Sequence, residues 1–109
     1  MSTDDRAPEP VRKRSAAAAA LLPRFLEHRR GDIATIRAAL ATGDFETIRR
    51  LGHNMAGNGV SYGFPEMSAM GERLEAEANA GNESAVREEL STLEAFLARI
   101  NTGRGTAAP

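Results

Sequence analysis

At 109 residues the chain is long enough for one domain with its own core and too short for a second. Fourteen basic residues against fifteen acidic ones leave a net charge of -1, which argues against a nucleic-acid-binding surface. The absence of cysteine excludes disulfides and thiolate metal sites and fits a reducing compartment.

Hydrophobic residues make up 41% of the chain, much of it alanine, with no tryptophan, one tyrosine and four phenylalanines, so the expected core is aliphatic. Residues 1–15 carry Pro8, Pro10 and mixed charge without periodicity and read as a disordered tail, with Arg12-Lys13-Arg14 solvated in it. The apolar run Ala16 to Leu22, closed by Pro23, is too short to span a membrane. A basic run before an apolar one has the outline of a secretion signal, but the segment preceding it is long, proline-bearing and partly acidic. A cytoplasmic protein is expected.

From Leu22 to Ala41 the positions Leu22, Leu26, Ile33, Ile36 and Leu40 form one helical stripe. Gly31 costs about 1 kcal/mol inside a helix and marks where this segment can divide into a short helix and a longer one. His28, among Glu27, Arg29 and Arg30, reads as a surface histidine. Gly43 suits a left-handed helix end and Asp44 an N-cap. The next helix is expected from Phe45 to about Gly57, with Phe45, Ile48, Leu51, Gly52 and Met55 on the buried side. His53 lies roughly 140° from that side, near Glu46, Arg50 and Gly57, and so in solvent. Asn58 to Gly63 reads as a turn or a fraying helix end. Pro65 then opens a helix with Glu66 at its positive end. Its stripe is Met67, Met70, Gly71, Leu74 and Ala78, where methionine at helical spacing reads as core. Gly81 ends it and Asn82 caps the last helix, with Val86, Leu90, Leu93, Leu97 and Ile100 inside. Asn101 and Gly103 are expected to stop that helix.

No strand pattern occurs. Short connections favour antiparallel neighbours. The expected fold is all-α: an antiparallel up-and-down four-helix bundle over residues 16–101, with an additional short N-terminal helix, between tails at 1–15 and 102–109.

The chemistry concentrates around His53. Gly52 and Gly57 flank it inside a helix despite their poor propensity, which suits a surface cleared of bulk for an approaching partner. The Pro65 helix folds back past it and brings Glu72 and Glu75 alongside. A carboxylate accepting a hydrogen bond from Nδ1–H would fix the tautomer and leave Nε2 free as a nucleophile. Nothing supplies a nucleophile–base–oxyanion set. No His/Asp/Glu spacing suggests a metal site, and Gly57, Gly59 and Gly63 follow a helix rather than a strand, unlike a nucleotide-binding loop. The histidine is expected to receive a group, not to catalyse a turnover.

The run Leu51-Gly52-His53-Asn54-Met55-Ala56-Gly57, then Tyr62-Gly63-Phe64-Pro65 and Leu74-Glu75, resembles the histidine phosphotransfer (HPt) domain. The likeness extends from about Leu21 to Ile100 and matches that family's pattern at His53, Gly57, Gly63, Leu74 and Glu75. The resemblance implies a helical bundle without catalytic activity. His53 Nε2 would accept a phosphoryl group from a receiver-domain aspartyl phosphate and pass it to another receiver. It also implies Glu75 as the orienting hydrogen-bond partner and Gly57 as the clearance residue. The expected partners are response-regulator receiver domains and a hybrid sensor histidine kinase, with no cofactor bound by this chain, Mg²⁺ needed only in the receiver, and a monomeric state.

One position departs from the pattern: Ala56 stands where the family usually has a lysine that neutralises phosphate charge. Arg50, one turn before His53 on its side, is the first substitute expected, ahead of Arg49 and Arg73. The other reading is a helical adaptor that binds a receiver or kinase while His53 stays unphosphorylated, and a bundle used for self-association is a third.

Overall fold

The computed structural model describes the backbone of residues 16–107 and the side chains of 22–100. Within them lie four helices and no strand: α1 Ala16–Thr42, α2 Phe45–Ser61, α3 Pro65–Asn79 and α4 Glu83–Ala107. Each packs on two neighbours, α1 on α2 and α4, and α3 on α2 and α4. The tail expected at 1–15 lies outside the described residues.

The expected apolar stripes form the core. Leu26, Ile36, Ile48, Met55, Met67, Leu74, Val86, Leu90, Leu93 and Leu97 are fully buried, each such aliphatic side chain contributing about 1.5–3 kcal/mol on burial. At one end the core turns aromatic. Phe25 stacks on Tyr62 at 4.2 Å between centroids, and Phe64 lies 5.8 Å from Phe25 and edge-on to Phe96 at 6.0 Å. This ties the α2–α3 connection to α1 and α4.

The corners follow local chemistry. Gly43 takes φ 71, a left-handed conformation cheap only for glycine, and its N–H bonds the Leu40 carbonyl at 3.2 Å. Asp44 then caps α2, its carboxylate accepting from the Thr47 N–H at 3.1 Å and from the Thr47 hydroxyl at 2.6 Å. These bonds hold the Asp44 carboxyl below its usual range. Asn82 caps α4 by accepting from the Ala85 N–H at 3.1 Å.

Three boundaries differ from the sequence expectation. The additional short N-terminal helix is not a separate element among the described residues, because α1 runs unbroken through Pro23 and Gly31. Pro23 removes one backbone hydrogen bond early in a helix whose first residues are alanine, the best helix former. Gly31 lies between buried Leu26 and Ile33, whose burial outweighs a propensity cost of about 1 kcal/mol. Helix α2 continues past Gly57 to Ser61 because Gly59 packs tightly against α3. Helix α4 passes Asn101 and Gly103 to reach Ala107, since elongating an existing helix tolerates single poor formers that would hinder nucleation.

A Cβ at Gly31 meets nothing within 4 Å, so Gly31→Ala should stabilise the bundle by about 0.5–1 kcal/mol, a rise of a few degrees in Tm by thermal melting. Glu77 has Oε1 buried without a hydrogen-bond partner among the described residues, and burial, then the charge of Glu89, raises its carboxyl above 4.5. The folded state therefore binds a proton more readily than the unfolded chain. Stability from this group is fully present below pH 4.5 and is lost as pH rises through the raised folded value. Glu77→Gln should melt higher than the parent at pH 7, and the difference should shrink as pH falls toward 4.5.

Candidate functional site

Small residues set the crossing of α2 and α3. A Cβ at Gly52 would sit 2.8 Å from the Glu75 nitrogen and from the Gly71 oxygen; one at Gly71 would sit 2.6 Å from the Ala56 nitrogen and the Gly52 oxygen; one at Gly59 would sit 2.5 Å from the Ser68 nitrogen. The Ser68 hydroxyl donates to the Ala56 carbonyl at 2.6 Å. Residues rising in number along α2 thus meet residues falling in number along α3, so the pair is antiparallel with nearly touching backbones. That register places Glu75 beside His53, one helix across.

His53 stands on the solvent face of α2 with its side chain 70% exposed. Its Nδ1 lies 3.3 Å from Glu75 Oε1, while the Glu75 side chain is 28% exposed. With a proton on Nδ1, the imidazole donates to the carboxylate, and the Nε2 lone pair is left uncommitted. Of the two acidic residues that the sequence offered, Glu75 meets the ring and Glu72 does not. The second oxygen of Glu75 lies 3.8 Å from Arg49 Nη1. Arg49 in turn grips Glu46 through two bonds, Nε to Oε1 at 3.0 Å and Nη2 to Oε2 at 2.6 Å, which lower the Glu46 carboxyl from its ordinary range. Arg49 is therefore committed within this exposed chain of charges.

The expected site residues divide on inspection. A Cβ at Gly57 would meet nothing within 4 Å, as a clearance residue requires. Gly52 is different: it is buried, and the space it clears is filled by α3, not left open for a partner. Arg73 is paired on the α3–α4 face, donating to Glu89 through Nε at 3.0 Å and Nη2 at 3.1 Å. Arg50 is exposed and makes no hydrogen bond or ion pair among the described residues. Ala56 is half-buried against α3 and brings no charge.

A family model described as Hpt domain matches residues 20–103. The chain belongs to the Hpt domain family. No curated protein and no solved structure matches it.

The surroundings of the histidine in this Hpt domain hold one group that the sequence reading passed over. Beside His53 lies an open polar depression lined by Arg29 and Asp32 of α1 and by Leu51, Asn54, Gly57, Asn58 and Ser61 of α2. Arg29 Nε donates to Asp32 Oδ2 at 2.9 Å, with the two side chains 12% and 20% exposed, and its guanidinium lies 5.2 Å from the centroid of Phe25. Burial raises the Asp32 carboxyl while Arg29 opposes the shift. In the sequence Arg29 sits inside a charged run, and only the α1–α2 packing brings it to the histidine's flank. Val60, 67% exposed, is the one large exposed hydrophobic among the described residues; stepping about 100° per residue puts it on His53's stripe of α2. No group of three His, Cys, Asp or Glu among the described residues converges to hold a metal, and no described helix is long and apolar enough to cross a membrane.

Proposed function

We propose that His53 is a phosphoryl carrier in a two-component phosphorelay, loaded from the aspartyl phosphate of a receiver domain and discharged to the aspartate of another. The observation that carries this reading is the division of labour at the ring: Nδ1 faces Glu75 while the side chain is 70% exposed. The Nε2 lone pair attacks phosphorus in line. An N–P bond forms as the P–O bond to the receiver's aspartate breaks, and the carboxylate leaves with the electron pair. The proton on Nδ1 stays there, and Glu75 balances the positive charge that the ring acquires. Such transfer depends on positioning and charge stabilisation. A histidine on a packed helix provides the first, and the receiver's Mg²⁺ and lysine provide much of the second, so this chain acts as a carrier without a catalytic cycle of its own.

The partners are then receiver domains and a hybrid sensor kinase in the cytoplasm, meeting a monomeric bundle. Gly57 leaves the approach to the ring open, and Val60 offers an apolar contact beyond it, the sort of centre that transient interfaces use. Ala56 favours a second reading, an adaptor that binds receivers without accepting phosphate. Incubation with a phosphorylated receiver separates the two. The carrier reading expects acid-labile, base-stable label on the parent protein and none on folded His53→Gln; a parent that binds several phospho-receivers yet stays unlabelled is an adaptor.

A further inference from the structure

A phosphoryl group brings close to two negative charges and three acceptor oxygens, and no cation among the described residues is bonded to His53. The two flanks of α2 beside the ring are unlike. At about 100° per residue, Gly52, Ala56 and Gly59 face α3, whereas Asn54, Asn58 and Ser61 lie on the opposite flank toward α1. The bond from Nδ1 to Glu75 is made on the α3 side. In an imidazole bonded through Nδ1, the Nε2 lone pair points away from the carboxylate that Nδ1 faces. The polar depression that His53 shares with Asn54, Asn58 and Ser61 has one basic side chain in its lining, Arg29 of α1.

Arg29 is built for this use. Asp32 takes its Nε–H, the Phe25 ring lies against the guanidinium, and the side chain is 12% exposed. Its Nη groups make no hydrogen bond to another described residue. A guanidinium gripped along one edge and open along another is preorganised, so less rotamer entropy is lost when it binds an oxyanion. Arg50, exposed and without a hydrogen bond or ion pair among the described residues, would have to be ordered first.

We infer that Arg29 is the phosphate-binding cation of the phosphorylated state, donating from its Nη groups to phosphoryl oxygens on His53 Nε2 while Asp32 holds the guanidinium in place. This rests on the carrier reading above and adds to it a residue from a different helix.

The test is a 31P NMR titration of the full-length protein phosphorylated on His53 with phosphoramidate or a phospho-receiver. Arg29→Gln should bind a proton on its phosphoryl group about ten-fold more tightly than the parent, the size of one charge-assisted hydrogen bond. Arg29→Lys should fall between them and Arg50→Gln should match the parent. Asp32→Asn, which leaves the arginine charge uncompensated, should shift the titration the opposite way, and it serves in place of Arg29→Gln if that variant does not fold. A phosphoryl group titrating identically in the parent, Arg29→Gln and Asp32→Asn overturns the assignment while leaving the carrier reading intact. A parent that takes no label on His53 overturns both.

Discussion

Gly71→Ala and Gly52→Ala should each destabilise the bundle by about 2 kcal/mol or more, because overpacking a close contact forces backbone to move. The atoms that the new methyl would strike are the Gly52 oxygen and Ala56 nitrogen for Gly71, and the Gly71 oxygen and Glu75 nitrogen for Gly52, all nearer than 3 Å. None is the yielding tip of a side chain. The helices must part, and parting them carries Glu75 away from His53, so any folded fraction should also transfer poorly. Gly57→Ala is the control on the same helix. Its methyl meets no atom within 4 Å and alanine is the better helix former by about 1 kcal/mol, so this variant should be as stable as the parent or more so. Under the carrier reading it should still lose transfer rate, because the methyl stands where a receiver approaches. Denaturant unfolding separates the two classes: loss of midpoint for residues 52 and 71, none for 57.

Glu75→Ala should slow phosphoryl transfer by about ten-fold or more while the bundle stays folded. The side chain is partly exposed and its helix tolerates alanine, so little packing is lost. What goes is the acceptor for Nδ1–H, and with it the fixed tautomer and ring orientation. A histidine that is 70% exposed has no packing to replace that restraint. Glu75→Gln should retain more activity than Glu75→Ala, since an amide oxygen still accepts from Nδ1 but no longer offsets positive charge on the ring. Single-turnover transfer from a phospho-receiver, with circular dichroism to verify the fold, measures both. Equal rates for parent and Glu75→Ala would remove the carboxylate from the mechanism.

What could be read in the sequence was whatever local pattern dictates. Apolar spacing gave the four stripes, Asp44 and Asn82 announced their caps, and helical arithmetic put His53 in water with the Pro65 helix returning beside it. Glycine was harder. Gly31 looks like a breaker, yet the burial of Leu26 and Ile33 on either side keeps α1 whole. Gly52 and Gly57 look alike in sequence, but one faces a neighbouring helix at backbone distance and the other faces solvent. A sharper reading was available, since Gly52, Ala56 and Gly59 share one face of α2 and Ser68 and Gly71 share one face of α3, the small-on-small pattern of a close crossing. Charged residues were hardest to place. The side of α3 from which Arg73 projects, and the nearness of Arg29 to a histidine on another helix, follow from how the bundle packs, and short-range periodicity carries no such information.

The central claim is that Glu75 occupies Nδ1 and leaves Nε2 as the nucleophile. Label the imidazole with 15N, phosphorylate the protein from a phospho-receiver, and identify by 31P–15N coupling which ring nitrogen of His53 carries phosphorus. Bonding to Nε2, with Nδ1 still protonated, is the expected result; phosphorus on Nδ1, or none on His53 in a protein that binds the phospho-receiver, would contradict it.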